Sequence, residues 1–185
     1  MVITTSPLVK TYTLQEFWDL PEPADRSKLE LIRGVLYRTP PPDYPHDEAA
    51  ADLIAVLQDE IRRCGYSGKI YVPRAAIWVD DNTYLEPDLM YISAELKALM
   101  KPKHWTRADI AVEIISPSTA AYVQKTKSDT YRFMSVREVW LVDTGTKEIE
   151  VRSFDAGKTA VFKLADTLHS EVLPKIEIPV AKIFP

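Results

Sequence analysis

Pro87-Asp88, then Glu113, then Lys127 are the residues of this chain best suited to chemistry. Asp88 lies in Leu85-Glu86-Pro87-Asp88-Leu89-Met90-Tyr91-Ile92, among large apolar side chains. Glu113 is the only polar residue of Ile110-Ala111-Val112-Glu113-Ile114-Ile115. A carboxylate in such a setting costs free energy unless something pairs with it. Two carboxylates and an ammonium are what a divalent-metal site for phosphodiester hydrolysis requires. Mg²⁺ (or Mn²⁺) takes oxygen ligands, and Mg²⁺ keeps several waters, so one or two carboxylates suffice. Asp88 and Glu113 are the expected metal ligands, with the Ile114 carbonyl as a third. The metal would polarise a phosphoryl oxygen and lower the pKa of a bound water.

These groups meet only if the elements carrying them are neighbours. The pattern reads as strands over Lys69–Val72, Ala75–Val79, Leu85–Ile92 and Asp109–Ile115. In the last of these, Glu113 shares a face with Ala111 and Ile115, opposite Ile110, Val112 and Ile114. A helix capped by Ser118 or Thr119 and running to about Met134 follows. On it Lys125 and Lys127 point about 200° apart, so only one can face the acids. Lys127 shares a face with Val123, Tyr131 and Met134 and is the expected partner.

Upstream, Thr13 and Glu16 form a capping box for a helix within Tyr12–Leu20. Leu29–Ile32, Arg33-Gly34 and Val35–Tyr37 read as a hairpin, and Pro40-Pro41-Pro42 as a stiff connection. The clearest helix starts near Pro45 and stops at Gly65, with Ala50, Leu53, Ile54, Leu57 and Ile61 as its buried stripe. Val139–Val142 has no polar face and reads as a central strand. Lys147–Phe154 alternates as a strand wet on one side, and Thr159–Leu164 pairs after a turn. The fold class expected is α/β (α+β), a mixed β-sheet flanked by helices.

The whole chain sets bounds. Its 185 residues suggest one domain, and 46% hydrophobic residues supply a real core. A single cysteine, Cys64, excludes an internal disulfide and a cysteine-based zinc cluster. The N-terminus has no signal-peptide pattern, and no segment reaches the roughly 20 apolar residues that span a bilayer. A cytoplasmic protein without membrane contact is expected. A net charge of −4 argues against avid, nonspecific nucleic-acid binding. It leaves room for a nuclease whose carboxylates a metal neutralises. Lys97, Lys101, Lys103 and Arg107 form a local basic stretch with His104 and Trp105, either a solvated loop or a phosphate contact.

The order Pro-Asp, Glu in an apolar strand, then Lys resembles the PD-(D/E)XK nuclease superfamily. More closely, the chain resembles the Uma-two family of restriction-endonuclease-like proteins. The matching pieces are Leu29 to Tyr37, Pro40-Pro41-Pro42 followed by His46, Glu86-Pro87-Asp88-Leu89 and Val112 to Thr119. Lys127, Tyr131 and Val136 to Asp143 complete the set. The resemblance spans about Thr11 to Phe154. It implies a restriction-endonuclease-like core, a divalent metal on Asp88 and Glu113, and cleavage of DNA. Lys127 would orient or deprotonate the attacking water and stabilise the developing charge. Glu30 and His46 match polar positions of the family, suited to a further metal contact or proton transfer. Two departures stand out. The superfamily's usual lysine position, two after the second acid, is Ile115, with Lys127 in its place. Where the closer family commonly has Asp, this chain has Val123.

Plainer readings stand beside these. Glu113 and Lys127 alone make a structural ion pair. Glu30 fits a hairpin surface, and His46 a local cap. Ser116 to Thr119 suits helix capping better than nucleophilic attack. Trp18, Trp78 and Trp140 read as core, with Trp105 the candidate base-stacking residue. A Mg²⁺-dependent DNA endonuclease is the first reading. A catalytically inactive nuclease-fold module for nucleic-acid binding or assembly is the alternative, and a hydrolase of small phosphates would use the same residues. Cutting both strands commonly takes two sites related by symmetry, which makes a homodimer an expectation.

Overall fold

Three short signals set the N-terminal part of the fold in this computed structural model, which describes residues 10–101, 104–115 and 122–184. Thr13 caps helix α1 (Leu14–Trp18), and Glu16 returns a carboxylate to the Thr13 amide at 2.8 Å. Strands β1 (Lys28–Ile32) and β2 (Val35–Thr39) join through Arg33 and Gly34. Both turn residues have positive φ, 49° and 79°, the geometry that matches strand twist in a two-residue hairpin. Asp43 caps helix α2 (Tyr44–Cys64) through the His46 amide, two residues before Pro45. Gly65 stops it at φ 73°, a left-handed position that suits glycine.

The expected strand over Leu85–Ile92 is two strands. β5 (Thr83–Leu85) pairs with β1 and with β4 (Ile77–Asp80), whereas β6 (Leu89–Ile92) pairs with β3 (Lys69–Tyr71) and β7 (Ile110–Ile115). Glu86-Pro87-Asp88 carries the chain from one sheet to the next. Pro87 has no N–H for a ladder, and a run of apolar residues does not reveal such a break. Helix α3 (Ala94–Leu99) follows β6.

Two main sheets result where one was expected. The first has the order β2-β1-β5-β4. The second has the order β10-β9-β8-β7-β6-β3, completed by β8 (Glu138–Asp143), β9 (Glu148–Ser153) and β10 (Lys158–Phe162). β7 and β8 run parallel, so a crossover must link them. Its described part is a π-helical turn, Tyr122–Lys127, leading into helix α4 (Ser128–Phe133). The expected Ser118 or Thr119 cap lies outside the described residues. A small pair, β11 (Thr167–Leu168) and β12 (Ile178–Pro179), closes the C-terminal region.

The central sheet is covered on both faces. Ile110, Val112 and Ile114 of β7 face α2 and the C-terminal segment, packed with Leu53, Leu57 and Ile178. Ala111 and Ile115 face a second cluster with Leu85, Val123 and Tyr131. The inward stripe of α2 is Ala49, Leu53, Leu57 and Ile61. Ala50 and Ile54, expected in that stripe, are partly buried against the same core and also line a cleft. Trp140 is fully buried, but Trp18 is 51% exposed and Trp78 half-buried, so neither of these two is core. No described helix is long and apolar enough to cross a membrane.

Candidate active site

β6 and β7 are antiparallel neighbours, with Leu89 opposite Val112. Continuing that register by one residue sets Asp88 beside Glu113. Asp88 Oδ2 accepts a hydrogen bond from the Ile114 amide at 2.8 Å, which fixes its carboxylate on the edge of β7. His46, in the first turn of α2, brings Nε2 to 3.3 Å from the same oxygen, and Lys28 Nζ stands 3.5 Å from Oδ1.

The crossover places Lys127 over the sheet. Its ammonium lies 2.6 Å from Glu113 Oε1 and 2.9 Å from Glu30 Oε1. Lys125 is exposed and turned away. The Tyr131 hydroxyl donates to Glu113 Oε1, and the Tyr122 hydroxyl donates to Glu30 Oε2 at 3.1 Å. The inter-sheet segment is held by the same residues: the Glu86 amide donates to Glu30 Oε1 at 2.9 Å, and Lys28 donates to the Glu86 carbonyl at 2.8 Å. Backbone groups that the break at Pro87 takes out of the ladders thus find partners in the cluster, as buried backbone must.

Asp88, Glu113, Lys127, Glu30 and His46, chosen from the sequence, therefore meet at one place. They line a cleft of about 1000 Å³ between the two sheets and the start of α2. Lys28 and Tyr122 were not singled out. Lys28 was legible, because it stands two residues before Glu30 on β1 and shares its face. Tyr122 was not, because the π-helical turn shifts the phase that α-helical periodicity assumes. The basic stretch lies elsewhere: Lys97, Lys101 and Arg107 do not line the cleft, and Lys103 lies outside the described residues. Trp105 packs against Tyr71 at 4.9 Å, away from the acids.

The cluster carries three acids against two amines. Burial pushes Glu113 up, and although Lys127 opposes this, Asp88 and Glu30 reinforce it, leaving its carboxyl at about 7. Burial also acts to raise Glu30, but Lys127, Lys28 and the Glu86 amide hold it below the usual carboxylate range. For Asp88 burial is likewise outweighed, by the His46 hydrogen bond and by the charges of Lys28 and Lys127, and its pKa is lowered. Burial lowers His46, yet the bond to Asp88 and the charges of Asp88 and Asp47 together outweigh it and leave it raised. His46 Nδ1 is buried without a hydrogen-bond partner, with Asp47 Oδ1 at 3.6 Å.

Glu113 makes a pH dependence measurable. Its folded pKa, about 7, exceeds its ordinary 4.5. Between those values the native state holds a proton that the unfolded chain has lost, so stability falls as pH rises through that window. Urea unfolding in chelator from pH 5 to 8 will show this fall, and Glu113→Gln will flatten it. A wild-type midpoint that rises over the same interval refutes the assignment.

The donor set suits a hard divalent ion that keeps most of its water. Among the described residues, no group of three or more acid, histidine and cysteine side chains forms a ready-made metal cage. Two carboxylates are enough for Mg²⁺, and Asp88 and Glu113 supply them. Burial raises Glu113 and the charges of Asp88 and Glu30 add to it, and a bound cation would offset both.

Comparison with known proteins gives a family and a fold. The model of the Uma2 family, described as "Putative restriction endonuclease", matches residues 14–181. The chain belongs to the Uma2 family. Among solved structures it is similar to a "putative nuclease belonging to DUF820" from Anabaena variabilis, with a TM-score of 0.75 and 17% sequence identity. The match covers 93% of this chain and 97% of that one. At that identity the likeness carries the fold, a nuclease-type α+β arrangement. No curated protein matches the chain. Seen within the Uma2 family, Val123 is a buried residue of the second core cluster. It makes part of the cleft wall apolar.

Proposed function

We propose that this Uma2 protein is a Mg²⁺-dependent (or Mn²⁺-dependent) DNA endonuclease of PD-(D/E)XK type, formed by one domain. The observation that carries the reading is the meeting of Asp88, Glu113 and Lys127 in one cleft from three separate elements. Asp88 and Glu113, with the Ile114 carbonyl, would hold the ion, which supplies charge stabilisation at the phosphoryl oxygen and a more acidic water. Lys127 would orient the attacking water and offer positive charge to the developing phosphorane. Glu30 holds Lys127 in place from the far side. His46, held against Asp88 with its pKa raised, would give a proton to a leaving oxygen. Cutting both strands of a duplex would call for a homodimer, and the protein would act in the cytoplasm.

The test is cutting of circular single-stranded DNA and of supercoiled plasmid with Mg²⁺ or Mn²⁺. Cutting that stops with excess chelator is expected, and cutting that persists defeats the proposal. The second reading, an inactive binding or assembly module, draws on the ion pairs that already engage Asp88, Glu113 and Glu30. It predicts no turnover with any metal.

A further inference from the structure

Resting on the reading of the cleft as a phosphodiesterase centre, we propose that its substrate enters as single-stranded nucleic acid. The acting groups lie deep. Glu30 is 0%, Lys127 1%, Glu113 2% and Asp88 8% exposed. The rim above them includes Pro21, Pro23 and Pro73, residues with a fixed φ that resist spreading. A duplex presents its phosphates on a wide, stiff surface, whereas a single strand can bend to reach groups buried this deep.

A series of rings supplies what such a strand would need. Phe17, Trp18 and Tyr84 line the cleft. Phe17 packs on Tyr84 at 5.0 Å, Tyr84 on Trp78 at 5.7 Å, and Trp78 stacks on His104 at 4.4 Å and 15°. Trp18 stands edge-on to Trp78 at 6.2 Å and is half-exposed. The series thus runs from the mouth of the cleft toward the basic connection that holds His104. Bases stack on such faces irrespective of sequence, with one aromatic contributing about a tenfold affinity change or more. The rim charges repel a duplex, with its denser phosphates, more than a single strand. Arg26 and Arg74 are its exposed cations, and Glu22, Asp43 and Asp47 outnumber them. Binding therefore leans on stacking more than on phosphate contacts.

The probes are fluorescein-labelled dT12, rU12 and a 12-base-pair duplex, followed by anisotropy in EDTA so that nothing is cut. At least one single strand will bind tenfold or more tighter than the duplex. Its affinity will fall with salt along a log–log slope no steeper than about −1.5, two phosphate contacts on a single strand. Trp18→Ala will weaken it about tenfold, and Trp18→Phe will keep most of it. Duplex binding equal to or tighter than single strand, no binding of any probe, or an unchanged Trp18→Ala overturns the proposal. These readouts need no turnover, so an inactive metal site and a wrong substrate class give different results.

Discussion

Replacing Lys127 with methionine will destabilise the protein by about 3–5 kcal/mol, the usual cost of removing one partner of a buried charge pair. The ammonium is fully buried and touches both Glu113 and Glu30. Methionine fills much of the volume, so packing loss is small beside two carboxylates left with less compensation. The cost will be smaller at pH 5 than at pH 8, because Glu113 is already raised and takes a proton readily once its partner is gone. Lys127→Met with Glu113→Gln will be less destabilised than Lys127→Met alone, since one stranded charge has been removed. Urea unfolding of the four members of that cycle at both pH values measures the coupling. A loss under about 1 kcal/mol, with no pH dependence, would mean that the amine does not sit between the acids. Cleavage by the single variant should be absent at any temperature at which it stays folded.

Lys127 also shows what sequence can and cannot carry. Its choice over Lys125 needed only the apolar face shared with Val123, Tyr131 and Met134, and all four residues are buried. The same local logic found the Thr13–Glu16 box, the Arg33-Gly34 turn and the alternation of β9, because each depends on residues adjacent in the chain. Glu30 was different. On the hairpin alone it could face water, and only the contact of β1 with the crossover turns it into a buried acid. The handover at Glu86-Pro87-Asp88 was hidden for a similar reason: apolar residues on both sides fit one strand or two, and pairing partners decide. After Leu164 the alternation Ile176, Ile178, Val180 is short, flanked by Pro174 and interrupted by Pro179, yet these residues and Ile183 pack into the main core. Long-range pairing chose these outcomes, and a local pattern does not encode it.

Asp88→Asn will lower cleavage by a thousandfold or more, about 4 kcal/mol of barrier at 1.36 kcal/mol per tenfold, while the protein stays folded. The amide oxygen can still accept from the Ile114 N–H, so the β6–β7 edge keeps its fastening. What disappears is the negative charge that Lys28 and His46 face and that would hold an ion. The lowered folded pKa of Asp88 gives stability that is present above its ordinary 3.8 and lost as pH falls through the folded value. The variant will therefore lose stability at neutral pH and converge on wild type in acid. Calorimetry should find the heat of Mg²⁺ binding gone together with activity, and His46 titrating lower once its partner has no charge. Those two effects separate the roles of the carboxylate. Lost activity with metal binding intact would make Asp88 a positioning group for His46, and the ion would then belong to Glu113 and its neighbours. Activity within tenfold of wild type would remove Asp88 from the chemistry and leave the cluster a structural network joining two sheets.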